Sequence, residues 1–190
     1  MNPVDKKETS EEQIQLACFK VGEEKDALDI LKIREITRSQ TITKIPKAPE
    51  FIEGVINIRG AFIPVVDMRK RFGFPSKKND RNTRVIIAAI AGRIVGIQVD
   101  EAKEVVWISR KEVKPPPKIL KGSASEYLEG ICRIGDEILM FLDFERILST
   151  KEKIKLDEVK KAVNELKAKP KKKSKKTSGK KIKQEESEDV

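Results

Sequence analysis

The apolar residues of this chain fall in short runs separated by turn chemistry. From Ile14 to Val21, Leu16 and Cys18 would point to one side of an extended chain and Ala17 and Phe19 to the other. This predicts a strand with both faces partly covered. Gly22-Glu23-Glu24-Lys25 reads as a turn. Leu28, Ile30, Leu31, Ile33 and Ile36 fit a strand or a short helical turn equally well. Ile45-Pro46-Lys47-Ala48-Pro49 is a loop, because each proline restricts itself and the residue before it. Val55 to Ile58 and Phe62 to Val66 form a hairpin around Arg59-Gly60-Ala61, with Gly60 supplying the positive φ. Pro64 predicts an edge position or a bulge for its strand.

The same rhythm continues along the chain. Phe74 to Arg81 is an exposed loop, and Arg84 to Ala91 and Arg93 to Val99 pair around Ala91-Gly92. Glu104 to Ile108 is a further strand, and Pro115-Pro116-Pro117 a stiff extended linker. Tyr127 to Ile134 and Glu137 to Leu142 flank the hairpin signal Gly135-Asp136. Many short strands with close turns predict an all-β barrel or sandwich. No periodic helix of ordinary length is expected before residue 150. Beyond it, Leu156, Val159, Val163 and Leu166 recur at three and four among Lys and Glu, an amphipathic helix that Pro170 ends.

Charge divides the chain in two. The total is 190 residues with 41 Lys+Arg and 31 Asp+Glu. From Lys151 onward there are 15 lysines against 8 acids, so most of the formal +10 sits at the end. Ten lysines and no acid lie between Lys167 and Lys183, a composition that predicts disorder. Met1 to Glu12 is charged and aperiodic, a flexible lead-in with no secretory character. Val85 to Ala91, the longest apolar run, is too short to cross a bilayer. Cys18 and Cys132 stand alone in apolar runs, which predicts buried reduced thiols and a cytoplasmic setting.

The residue inventory argues against catalysis. There is no histidine, hence no common general base, metal ligand or phosphorelay acceptor. No glycine loop has phosphate-cradling spacing. Asp67, Asp100 and Asp143 end apolar strands and read as solvated carboxylates or turn caps. No metal and no cofactor is expected, and a binding module is favoured over an enzyme.

The segment from Pro49 to Arg69, with Gly54-Val55-Ile56-Asn57-Ile58-Arg59-Gly60 at its centre, closely resembles the signature of CheW-like domains. Ile30 to Ile36, Val95 to Asp100, Pro115 to Pro117, Tyr127 to Gly130 and Leu139 to Asp143 are similar to further landmarks of that family, in order. The resemblance spans roughly Gln13 to Ser149. It implies two five-stranded SH3-like β-barrels sharing a core over residues 13–149; a short amphipathic helix at 150–169 is ordinary in that family, whereas the disordered lysine-rich tail at 170–190 departs from it. It also implies an adaptor that couples the cytoplasmic tip of a chemoreceptor to a CheA-type histidine kinase, cytoplasmic but recruited to receptor arrays.

By the same resemblance, Ile33, Glu35, Arg59 and Gly96 match positions around a receptor groove between the barrels. Ile33 would give apolar contact, Arg59 a bidentate partner for a carboxylate, and Gly96 room for a helix. Gly54, Asn57 and Gly60 are expected to set the hairpin geometry. The kinase contact is expected on the first barrel, at residues the sequence does not identify. Trp107 reads as a buried strand aromatic, with an exposed anchor as the other option. Two rival roles stay open: a CheW-like adaptor of another motility or signalling pathway, and a tail-driven binder of nucleic acid or a membrane surface. In either setting the lysines would attract an anionic partner.

Overall fold

The computed structural model describes residues 12–117 and 126–168. The expected lead-in and the lysine-rich tail lie outside the described residues. Ten strands run in the order β1 (Gln13–Val21), β2 (Glu24–Asp29), β3 (Ile33–Arg38), β4 (Ile52–Ile58), β5 (Ala61–Asp67), β6 (Arg84–Ile90), β7 (Arg93–Val99), β8 (Glu101–Ser109), β9 (Leu128–Ile134) and β10 (Glu137–Leu142). They build two five-stranded sheets, ordered β8-β1-β2-β10-β9 and β3-β6-β7-β5-β4. The first sheet therefore draws on both ends of the described chain and the second on its middle. Each has one parallel pair, β2 with β10 and β5 with β7. The segment after β3 bridges to β4 at Thr43–Val55, and the segment after β8 bridges to β9 at Lys114–Ile131.

Strands apolar on both faces have two cores to fill. Leu16, Ala27, Ile108, Cys132, Leu139 and Phe141 cluster within the first sheet, and Ile56, Ile63, Val65, Val85 and Ile87 within the second. The opposite faces contribute Phe19, Val21 and Leu28 from one sheet and Val55, Ile86 and Ile97 from the other to a larger shared core. A polar tie spans the sheets as well. Arg69 donates to both carboxylate oxygens of Asp100 at 2.6 and 2.7 Å, and the Gly22 N–H donates to the same carboxylate. Burial alone would raise the Asp100 pKa, but the Arg69 and Gly22 hydrogen bonds hold it below its ordinary value.

Three α-helices complete the described chain: α1 (Met68–Phe72), α2 (Phe144–Ile147) and α3 (Thr150–Ala168). Asp67 caps α1, accepting the Arg69 and Lys70 N–H groups, and Asp143 caps α2, accepting the Glu145 N–H. The third carboxylate, Asp100, is an ion-pair partner rather than a cap. Helix α3 is part of the core: Leu156, Val159 and Val163 are buried in the shared cluster. Arg71 binds Glu152 in a bidentate pair, and Arg93 binds Asp157 in another.

Several expectations change in detail. The ambiguous run from Leu28 to Ile36 divides into the end of β2, a 3-10 turn at Ile30–Lys32 and β3. Asp29 starts that turn by accepting the Leu31 N–H at 2.8 Å. Glu24 and Lys25 belong to β2, so the preceding turn is only Gly22-Glu23. Pro64 lies in β5, which is flanked by β4 and β7 and is not an edge strand; the ladder it shares with β4 does carry a register shift, at Ile52/Gly54 opposite Val66 and Val65. Pro64 is tolerated there because the ladder to β7 covers only Val65 to Asp67. Trp107, read as buried, is 63% exposed on β8, with Val105 also exposed two residues away.

Candidate functional site

The hairpin β4–β5 closes tightly. Ile58 pairs with Ala61, leaving Arg59 and Gly60 as a two-residue loop in which both have positive φ, 49° and 85°. That is the geometry whose twist suits a hairpin, and it is costly for most side chains at the first position. Asn57 helps to fix it, its Oδ1 accepting the Gly60 N–H at 2.9 Å. At the other end of β4, Gly54 faces the Thr43 carbonyl, and a Cβ there would lie 2.4 Å from that oxygen. The absent side chain is what lets the Thr43–Val55 bridge form.

This construction presents Arg59 at the hairpin tip, largely exposed, with an Nη2 3.3 Å from an Oε of Glu35 on β3. Two of the expected residues are thus brought together. They border a groove of about 380 Å³. Arg34, Glu35, Arg59 and Lys160 form its charged rim, while Phe62, Ile63, Ile87 and Ile94 supply apolar lining. Ile63 and Ile87 also belong to the second sheet's own core. The lining comes from the second sheet and α3, whereas the resemblance places a receptor groove between the barrels.

Ile33 and Gly96 are placed differently. Ile33 is half-buried and packs against the shared core, outside the groove lining. Gly96 is buried on β7, and a Cβ there would meet Val85 at 3.0 Å, Val65 at 3.2 Å and Ile87 at 3.5 Å. The close approach it permits is with its own core rather than with a partner helix. Gly96 reaches the groove only indirectly, by leaving space beneath Ile87.

Sequence reading did not find Arg34, Phe62, Ile63, Ile87, Ile94 or Lys160 as groove residues. Their apolar or charged character gave no hint that five separate elements converge there. Among the described residues no group of His, Cys, Asp and Glu could hold a metal ion, and no helix is long and apolar enough to cross a membrane. An apolar floor with a rim of guanidinium, ammonium and carboxylate groups suits recognition of an amphipathic helix. The guanidinium of Arg59 can donate to a carboxylate of such a partner.

Comparison with known proteins points the same way. Residues 15–152 match the model of the CheW-like domain. The chain is 36% identical over 144 residues to the chemotaxis protein CheW of Klebsiella aerogenes, covering 76% of this chain and 87% of the relative. It is 32% identical over 151 residues to the chemotaxis protein CheW of Treponema pallidum, covering 77% and 89%. The crystal structure of the scaffolding protein TtCheW from Thermoanaerobacter tengcongensis aligns with a TM-score of 0.68 and 34% identity, covering 74% of this chain and 96% of that one.

Proposed function

This chain belongs to the CheW-like domain family, whose members are scaffold proteins without catalytic activity, and from that premise we propose that it couples the cytoplasmic tip of a chemoreceptor to a CheA-type histidine kinase. The observation that carries the receptor half of the reading is the groove. Arg59 is held at its rim by a strained two-residue turn and faces Glu35 beside an apolar floor. A receptor tip built as a helical hairpin would lay apolar side chains on Phe62, Ile63, Ile87 and Ile94 and meet the rim with polar ones.

The kinase contact is assigned to the first sheet. Trp107 and Val105 lie exposed on β8, which stands at the end of that sheet's order. Exposed aromatics of this kind supply the dominant energy of many interfaces. In this arrangement the two partners take different sheets, so one chain can hold both. The protein works in the cytoplasm and is recruited to receptor arrays through these contacts.

Co-sedimentation with receptor-bearing membranes, with and without kinase, tests the reading. The intact chain should bring kinase into the pellet. Trp107→Ala should still pellet with receptor but carry much less kinase, and Arg59→Asn should fail to pellet at all. Asn suits the positive φ of that position, so the variant removes the guanidinium and keeps the turn. Recruitment that ignores both variants and depends on the lysine-rich tail would replace this reading with an electrostatic one.

A further inference from the structure

The groove has a wall that the second sheet does not supply. Among its lining residues, Lys160 is the one contributed by α3. It lies beyond residue 152, where the family match ends. Its position is fixed from both sides. Leu156 and Val163, four residues before and three after, are buried in the shared core. Asp157, three residues before, is clamped by Arg93 at 2.7 and 2.9 Å. Arg93 directly precedes Ile94, which lines the groove. The helix therefore cannot turn about its axis without breaking the pair or exposing the core, and Lys160 stays at the rim.

The rim charges are unbalanced. Arg34, Arg59 and Lys160 stand against Glu35 alone. Glu35 is engaged by Arg59; Lys160 feels Asp157, one turn before it on α3, but that carboxylate is already held by Arg93. Resting on the groove reading above, we propose that α3 is a wall of the partner site and that Lys160 is a specificity-determining residue, pairing with an acidic side chain on the helix that docks there. A rim with two excess cations beside an apolar floor selects an amphipathic helix whose flank is acidic and disfavours one whose flank is basic.

Lysine on a helix surface is usually only solvated, so the control is a neighbour that differs in place and not in charge. Lys161 is also exposed on α3 and is not part of the groove lining. Binding of a soluble fragment of the receptor tip would be titrated calorimetrically against the full chain and its Lys160→Glu, Lys161→Glu and Arg59→Asn variants at two salt concentrations. Lys160→Glu should weaken binding about tenfold and Lys161→Glu less than about twofold, since a rim pair differs from general field effects by position. The Lys160→Glu loss should be recovered with a receptor fragment in which the facing acid is changed to lysine. Equal effects of the two lysine variants overturn the proposal. So does a loss with Arg59→Asn but none with Lys160→Glu, although the groove reading survives that result. If neither Arg59→Asn nor Lys160→Glu changes binding, the groove reading falls with it.

Discussion

Asp26 sits on β2 with none of its surface exposed, and neither carboxylate oxygen has a hydrogen-bond partner among the described residues. Burial, followed by the nearby Glu24, pushes its pKa up to about 8. The unfolded chain would release this proton near pH 4. Between those values the folded state holds a proton that the unfolded state has lost. The group therefore costs stability as pH rises through that window, at up to about 1.4 kcal/mol per pH unit, and adds no further slope above about pH 8. Asp26→Asn should flatten this dependence in denaturant titrations between pH 5 and 8 and be more stable than the parent at the upper end; an unchanged slope would contradict the assignment. Gly54→Ala makes a second residue-scale prediction. Its Cβ would collide with the Thr43 carbonyl, so the bridge to β4 must open, with a loss of about 2 kcal/mol or more in chemical denaturation. Gly60 could be read from the sequence because a turn between β-rich runs demands its φ. Arg59 sharing that φ could not, since nothing in a lysine- and arginine-rich chain marks one arginine as strained. Asp26 was also hidden: an acid in Glu24-Lys25-Asp26 looks like a turn residue until β10 pairs against it.

Helix α3 shows what periodicity does and does not convey. The spacing of Leu156, Val159 and Val163 disclosed an amphipathic helix, but not that its apolar face completes the shared core. Hence a chain ending at Ser149 should lose on the order of 5 kcal/mol, the burial of three aliphatic side chains, as well as the partner of Arg71. A chain ending at Ala168 should unfold at the same denaturant midpoint as the intact protein. A repeat between elements was equally present and unread. Phe51-Ile52-Glu53-Gly54-Val55 and Tyr127-Leu128-Glu129-Gly130-Ile131 stand 76 positions apart, as do the two capping aspartates, Asp67 and Asp143. Each glycine precedes the residue that forms its sheet's bridge, Val55 or Ile131. At Gly130 a Cβ would meet Val113 at 2.4 Å, matching the crowding at Gly54. Only the identity Glu-Gly survives unchanged in the first of these stretches. The β4–β5 and β9–β10 hairpins are therefore equivalent parts of the two sheets.

At the scale of the whole molecule, turn chemistry was enough to indicate an all-β chain, and the family resemblance supplied the two-sheet division. Strand runs alone could not, because the first sheet pairs β1 with β8 across a gap of about eighty residues that no local pattern encodes. The same long-range assembly places Glu35, Arg59 and Lys160 around one groove while leaving Ile33 and Gly96 in the packing behind it. In the proposed arrangement this groove receives the receptor tip while the β8 face stays free for the kinase. Amide hydrogen exchange of the full chain, alone and with a saturating receptor-tip fragment, tests it most directly. Protection should rise in Ile33–Arg38 and across Ile58 to Ile63, with Val105 to Ser109 unchanged. Protection confined to β8, or to the lysine-rich end of the chain, would contradict it.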